Sequence, residues 1–492
     1  MQVVVAGAGP VGLMVAAELA LAGVEVKVVD RSPHRSPVCR GFTLNARSLE
    51  LLDRRGLADR FLAEGPTVPY AMFADPDRPL DLTAMDTDHP CLLGIAQTRV
   101  EELLEERLAA LGVPVAWGHE VVGLVQDGDG VDVAVRSGGR RTKWRAQYLV
   151  GCDGSRSTVR KHAGIGFPGT EATAFGLLAD VELADPATLL PGRSEGERGS
   201  VFVIPRPGHV RIVLDEPTPP PDRDQPVRLD YFQHLLNQAL GRPVALREPR
   251  WLTRFSDAAR QADHYVVGRV MLAGDAAHIH PPAGAVGVNA ALADAVNLGW
   301  KLAATVRGHA PEGLLASYHQ ERHPAGARVL RTTRAQTLLA RRDPRLAPPR
   351  DLFTELIGLA PVGTYLTELI TGLDTRYDPK VPGTHPWLGR LTPNLELTIG
   401  DEHTSIAELL TPGRPVLLHH GSHTLPEGWA NNVDTYRVHC PAHPELQGLL
   451  IRPDGHTAWI STTPDPQSTV TLATALATWF GPPDQGAADR RR

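Results

Sequence analysis

The residues whose types and spacing carry the clearest chemistry are Gly7, Gly9 and Gly12, a GxGxxG pattern in VVVAGAGPVGLMVAAELALAGVEVKVVD, and Asp30, which closes that stretch. Glycines at these places let bare backbone approach a pyrophosphate and let a helix pack tightly on the preceding strand, while an acid at the end of the next strand accepts hydrogen bonds from a ribose hydroxyl. Two further acids follow buried apolar runs: Asp153 in YLVGCDGSRSTVRK and Asp275 in VMLAGDAAHIHPPAG. Each is expected in a sharp turn at the carboxyl edge of a sheet, where open α/β folds bind ligands. Other chemistry is poorly represented. His278 and His280 form an HxH pair without a carboxylate at ligand spacing, so no metal site is expected, and no Ser, His and Asp triad is visible. Arg206 and Arg211 are the basic candidates in a hairpin-like stretch, but the sequence does not rank them, and no catalytic residue is assigned.

The elements that must position these residues are legible in outline. Val3–Val5 read as a buried strand, the glycine turn opens a helix, and a second strand ends at Asp30. RSLELLDRRGLADRFLAEG from Arg47 is an amphipathic helical stretch, and TRVEELLEERLAALG reads as a helix capped by Thr98. Asp127–Gly130 supply a hairpin turn, and SVFVIPRPGHVRIVLDE a second hairpin turning at Pro207 and Gly208. A long helix is expected to start near Val288. The expected fold class is α/β: a discontinuous Rossmann-like dinucleotide domain (1–75, 98–165 and 265–340), a β-rich domain (76–97 and 166–264), a helical linker (341–384), a C-terminal domain of strands and helices (385–482) and a disordered tail (483–492).

At 492 residues with 42% hydrophobic content the chain can fill two or three cores, and its formal charge of −6 provides no basic footprint for nucleic acid or an anionic membrane. Cys39, Cys91, Cys152 and Cys440 form no CxxC pair, which argues against a disulfide framework and for reduced thiols. The first strand begins at once, leaving no room for a signal peptide, so a cytoplasmic location is expected.

The order GxGxxG, then DG, then GD resembles the class A FAD-dependent aromatic hydroxylases, the p-hydroxybenzoate hydroxylase-like superfamily. SYHQERHPAGARVL is similar to the SYxxERxP segment that follows the GD helix there. GLDTRYD, HPWLGRLTPNLEL and LLIRPDGHTAW are similar to the bacterial aromatic polyketide hydroxylases, whose third domain is thioredoxin-like without a redox CxxC. The resemblance implies FAD as cofactor and NADPH as a transient cosubstrate. By motif position, it places Gly7, Gly9, Val11 and Gly12 around the pyrophosphate and Asp30 on the adenosine ribose. Arg31 and the backbone of Val121 would flank the adenine, with Arg40 and Gln97 also touching FAD. Asp275 would hold the ribityl chain, the backbone of Gly287, Val288 and Asn289 would approach the isoalloxazine, and Asp153 would act indirectly. Arg156 and Arg160 are candidates for NADPH phosphates.

The implied function is hydroxylation of a polycyclic aromatic polyketide intermediate in antibiotic biosynthesis through a flavin hydroperoxide, with dioxygen, NADPH and an aromatic small molecule as partners and a monomer or homodimer as the assembly. Baeyer-Villiger oxidation, antibiotic-inactivating hydroxylation, and an oxygen-independent flavin redox or dehydration enzyme are the alternatives. One departure adjoins the reacting ring: where the family usually has PxGGQG, this chain has PAGAVG, with Ala285 and Val286 in place of glycine and glutamine. Alanine restricts φ at that point.

Overall fold

The computed structural model describes residues 1–196, 199–220, 222, 224–341, 343–421, 423, 425, 426, 428–463 and 466–483; the tail expected at 483–492 lies outside them from residue 484 onward. Val3–Ala6 is buried along its whole length because it runs through the middle of a six-stranded sheet. Val26–Asp30 pairs with it in parallel on one side and Tyr148–Gly151 on the other, with Val5 opposite both Val28 and Val150. Val115–Trp117 extends one edge in parallel, while Val270–Leu272 and its antiparallel neighbour Val266–Val267 complete the other. The chain therefore leaves the central strand in one direction and returns on its opposite side, and that reversal opens a crevice beyond the strands' carboxyl ends.

The helix Pro10–Leu21 starts with proline in its first turn, where a missing N–H costs nothing, and it packs on the helix Gly287–Val306. Contact is close because Gly299 faces Glu18, whose side chain occupies the space a Cβ would need. The hairpin Glu120–Gln126 and Val131–Ser137, joined through Asp127–Gly130, continues into Arg140–Ala146 as a three-stranded meander.

A five-stranded sheet has the order Gly192–Gly196, Gly199–Arg206, His209–Asp215, Phe175–Leu183 and Leu246–Ser256, all pairs antiparallel. Alternation explains its two faces: Leu177, Ala179, Val181, Val201, Val203, Ile212 and Leu214 bury against Phe232 and Leu236 of the helix Leu229–Leu240. The segment 76–97, grouped with this unit from its sequence, pairs elsewhere. Asp75–Asp81 forms a hairpin with Tyr70–Phe73, and Leu92–Gly94 sits between Thr43–Leu44 and Thr67–Val68. Leu80 and Leu82 bury against Leu366 and Ile370 of the helix Ala360–Thr371, so the apolar side of that hairpin is covered by the linker region.

The C-terminal part has a mixed sheet in which Val416–His419 is parallel to Asp434–Arg437 and antiparallel to Gly448–Ile451, which pairs with Thr457–Ser461. Its contact with the rest of the chain combines an apolar cluster, in which Trp300 and Leu314 pack with Trp459, Trp479 and Phe480, with a buried charged network. Glu321 of the helix Ala316–Ala340 accepts from Lys301 (2.6 Å), Asn297 (2.7 Å) and both terminal nitrogens of Arg452 (2.6 and 2.9 Å). Arg452 also pairs with Asp454, to which the Trp300 indole donates at 3.0 Å. SYHQERHP and LLIRPDGHTAW, far apart in sequence, thus meet at one joint.

Candidate functional site

Three turns converge at the carboxyl end of the central sheet. The strand ends are tied in series: Gly7 N donates to Val29 O, Cys152 N to Ala6 O, and Ala273 N to Gly151 O. Gly7 has φ 107°, and a Cβ there would overlap the Cys152 carbonyl; a Cβ on Gly12 would overlap the carbonyl of Gly7. Gly274, at φ 61°, lies where a Cβ would press on the side chain of Val11. The glycine-rich turn therefore touches both the DG turn and the GD turn, and Gly7 and Gly12 are required by close backbone packing, whereas a Cβ on Gly9 would meet nothing else in the chain.

Asp30 points its carboxylate back at this turn, accepting from Ala8 N at 2.9 Å and Ser32 N at 2.8 Å. Val121 is buried two residues beyond His119, whose amide donates to the Asp30 carbonyl at 2.8 Å, so the meander brings Val121 to the same end. Arg31 is exposed beside it.

Asp153 is engaged in local structure. Its oxygens accept from the Ser157 hydroxyl (2.5 Å) and from the amides of Thr158 (2.7 Å) and Val159 (3.1 Å), holding the start of the helix Thr158–His162. Arg160 is similarly committed, donating to the carbonyls of Ala276 (2.8 Å) and Ser155 (2.9 Å), while Arg156 is an exposed partner of Asp224. Asp275 differs: it lies in the short turn that follows Val270–Leu272, and it is exposed.

A buried carboxylate that sequence reading missed holds this second turn. Asp294 is fully buried on the helix Gly287–Val306 and accepts from Gly274 N (3.2 Å), His278 Nε2 (2.7 Å) and Arg322 Nε (2.7 Å). Burial raises its pKa, but Arg322 and His278 outweigh that and hold it below the ordinary carboxylate range. Arg322 also donates to the Tyr377 hydroxyl and the Ala290 carbonyl, both at 3.0 Å. ALADAVN offers only helical spacing; the signal for Asp294 was an acid on an otherwise apolar helix face.

The loop before that helix is strained at the place where the sequence departs from the family. Gly284 has φ 73° and Ala285 φ 52°, the latter in the left-handed region that disfavours a Cβ. Asn289 holds the loop from below: its side chain donates to Ala285 O (3.0 Å) and Thr43 O (3.1 Å), and accepts from Asn45 N (2.9 Å) and Ser48 Oγ (2.7 Å). Gly287, Val288 and Asn289 lead the helix, whose first intrahelical bond runs from Ala290 N to Val286 O, so their amides face outward at its positive end. Half-buried His280 lies against Gly287, its pKa lowered by desolvation.

The loop 39–45 links these parts. Gln97 N donates to Gly41 O at 2.9 Å and its side chain packs on Gly41, while Arg40 is exposed on the loop's outer side. That amide contact also corrects the helix start: the helix is Gln97–Ala110, with Ala96 at its cap position and no capping by Thr98.

A glycine cradle for a pyrophosphate, an acid beside it, an exposed acid at the next strand end and a glycine-led helix terminus fit an extended flavin dinucleotide. Among the described residues no cluster suits a metal ion, and no helix is long and apolar enough to cross a membrane. The FAD binding domain family model matches residues 1–333, and that of the aromatic-ring hydroxylase C-terminal region matches 385–483. The chain is 41% identical, over 98% of its length and 99% of the relative's, to a 12-dehydrotetracycline 5-monooxygenase/anhydrotetracycline 6-monooxygenase of Streptomyces rimosus. It is 39% identical to a dialkyldecalin synthase of Streptomyces rugosporus, over 98% of this chain and 99% of the other. The solved structure of the anhydrotetracycline hydroxylase from Streptomyces rimosus superposes with a TM-score of 0.90 at 41% identity, covering 98% of this chain and 99% of that one.

Proposed function

The chain belongs to the FAD-dependent aromatic-ring hydroxylases, and from that membership we propose that it hydroxylates a polycyclic aromatic polyketide intermediate in antibiotic biosynthesis, with NADPH as reductant and dioxygen as oxidant. It is a flavin-dependent monooxygenase acting on a small molecule. The observation that carries the reading is the convergence of the GxGxxG, DG and GD turns at one sheet edge, with the 282–289 loop beside it. FAD supplies the redox and oxygen chemistry that side chains lack.

The protein's share is binding, orientation and exclusion of water. Gly7, Gly9, Val11 and Gly12 would hold the pyrophosphate by backbone amides, and Asp30, held in place by Ala8 N, would accept from a ribose hydroxyl. Arg31 and Val121 flank the adenine, and Arg40 and Gln97 contact the cofactor from the 39–45 loop and its neighbour. Asp275 accepts from the ribityl hydroxyls, oriented by the Gly274 turn that Asp294 fixes. Gly287, Val288 and Asn289 would offer their amides to the flavin ring from the positive end of their helix, which favours negative charge. Asp153 acts through the turn it caps. Baeyer-Villiger oxidation and antibiotic-inactivating hydroxylation use the same binding frame, and product structure by NMR separates them. With four free cysteines and a cofactor produced in the cell interior, a cytoplasmic monomer or homodimer accords with this reading.

The test is a flavin absorption spectrum of the purified protein followed by NADPH oxidation against a panel of angucycline- and anthracycline-type aromatics. Strong aromatic stimulation is expected; a flavin whose oxidation never responds overturns the substrate class. A second reading has its own support: the likeness to a dialkyldecalin synthase, together with Ala285 and Val286 beside the ring site, favours an oxygen-independent flavin enzyme. Turnover under strict anaerobiosis would establish it in place of the first.

A further inference from the structure

The five-stranded sheet turns one face to its own helix and the other toward the 39–45 loop. Register places Arg211 opposite both Ile204 and Asp180, Asp180 opposite Trp251, and Arg206 two positions beyond Ile204, so Arg206, Arg211, Asp180 and Trp251 share the second face. The two arginines differ in what they meet there. Arg211 is saturated: Nε and Nη2 donate to the two oxygens of Asp180 at 2.8 and 2.7 Å, and Nη2 also reaches the Cys39 carbonyl at 2.5 Å.

Arg206 has no such partner. Its guanidinium lies over the ring of Phe42, its Nε is buried without an acceptor, and no carboxylate among the described residues pairs with it. Burial, and then the charge of Arg211, push its pKa down to about 10, which leaves it protonated at neutral pH. Two guanidinium groups and one carboxylate therefore face the seam between sheet and loop, an excess of one positive charge in a half-buried place. Such a charge is costly unless an anion answers it. Phe42 is three residues before Asn45, at most about 10 Å along an extended strand, and Asn45 is bonded to Asn289 of the flavin helix.

We propose that Arg206 anchors the ionised hydroxyl of the aromatic substrate, a phenolate or the enolate of a 1,3-dicarbonyl, with the Phe42 ring as its backing. The sheet thereby selects acidic polyphenols over their ethers, and an ionised ring is also the more electron-rich one. This deepens the hydroxylase reading and rests on it.

The probe is alizarin, a dihydroxyanthraquinone whose visible band moves on ionisation, compared with its dimethyl ether on the FAD-loaded full chain. In the wild type the bound alizarin should ionise about one pH unit or more below the free dye, and it should bind about tenfold tighter than the ether. Arg206→Gln should abolish both differences while ether affinity stays the same, and Arg206→Lys should keep part of them. Equal affinity of the wild type for dye and ether, no binding of the dye, or an undiminished preference in Arg206→Gln overturns the proposal. If Arg206→Gln loses its flavin spectrum or its near-ultraviolet dichroism, Arg206→Lys and the wild-type pH titration decide. A dye shift without oxygen-dependent turnover removes hydroxylation and keeps the anion anchor; turnover without a shift does the reverse.

Discussion

Replacing Glu321 by glutamine removes one charge from the joint between the C-terminal sheet and the rest of the protein, and the structure sets the size of the effect. The carboxylate is 6% exposed and accepts from Lys301, Asn297 and Arg452. Burial raises its pKa, but Arg452 and Lys301 more than reverse this and hold it at about 2. Against an unfolded value of about 4.3, that is roughly 2 units, or about 3 kcal/mol at neutral pH. Losing one member of a buried ionic group independently costs about 3–5 kcal/mol, because the partners stay buried. Lys301 already bears such a burden: desolvation outweighs Glu321 and brings it to about 8, and in the Glu321→Gln variant it would face Arg452 with less compensation.

The assay is denaturant unfolding of the FAD-loaded chain followed by tryptophan emission, since Trp300 donates to Asp454 in the same joint. We expect Glu321→Gln to lose about 3 kcal/mol in the transition that reports on Trp300. We also expect the wild type's advantage to be present above roughly pH 4.3 and to vanish as pH falls toward 2, the direction required of a group whose folded pKa is depressed. A variant within about 0.5 kcal/mol of wild type, or an advantage that persists at pH 2, would refute the reasoning by showing the carboxylate to be hydrated.

Gly12→Ala places a Cβ on the carbonyl of Gly7, so FAD affinity, read by flavin fluorescence titration, should fall about tenfold or more. Asp294→Asn leaves Arg322 and His278 without their anion; thermal melting should show a loss of about 3 kcal/mol and a flatter acid limb than wild type. Ala285→Gly removes left-handed strain of about 1–2 kcal/mol against glycine's entropic cost of about 0.5–1, so it should melt slightly higher and keep its flavin; a lower melting point would show that φ 52° is held without strain.

What the sequence revealed is what local backbone geometry demands. Gly7 and Gly12 are required by contacts a Cβ would forbid, and Ala285, singled out because it stands where the resembled family has glycine, sits at φ 52°, where that glycine would be free of strain. Pairings between distant segments were invisible. The Thr98 cap fails because the Gln97 amide is taken by Gly41 and the cap position falls on Ala96, two residues earlier. The strands within 76–97 follow partners that only three-dimensional register reveals. Asp294 lacked a motif of its own, since its meaning comes from Arg322 and His278. Arg206 and Arg211 could not be told apart until Asp180 was seen to take one of them.

The Glu321–Arg452–Asp454 joint also bears on how hybrid enzymes can be built from this chain. Its two halves come from the ER pair of one motif and the RPDG turn of another, so a crossover placed between them, anywhere in 323–451, separates the Glu321 carboxylate from Arg452 while leaving it with Lys301. A donor module that lacks arginine and aspartate at these positions would bury Glu321 and Lys301 against unmatched surface, and the chimera would fail at assembly whatever the quality of its flavin site. Recombination with a relative should therefore carry residues 297–301, 321 and 452–454 as one inheritance, even though they occupy three separate stretches of the gene.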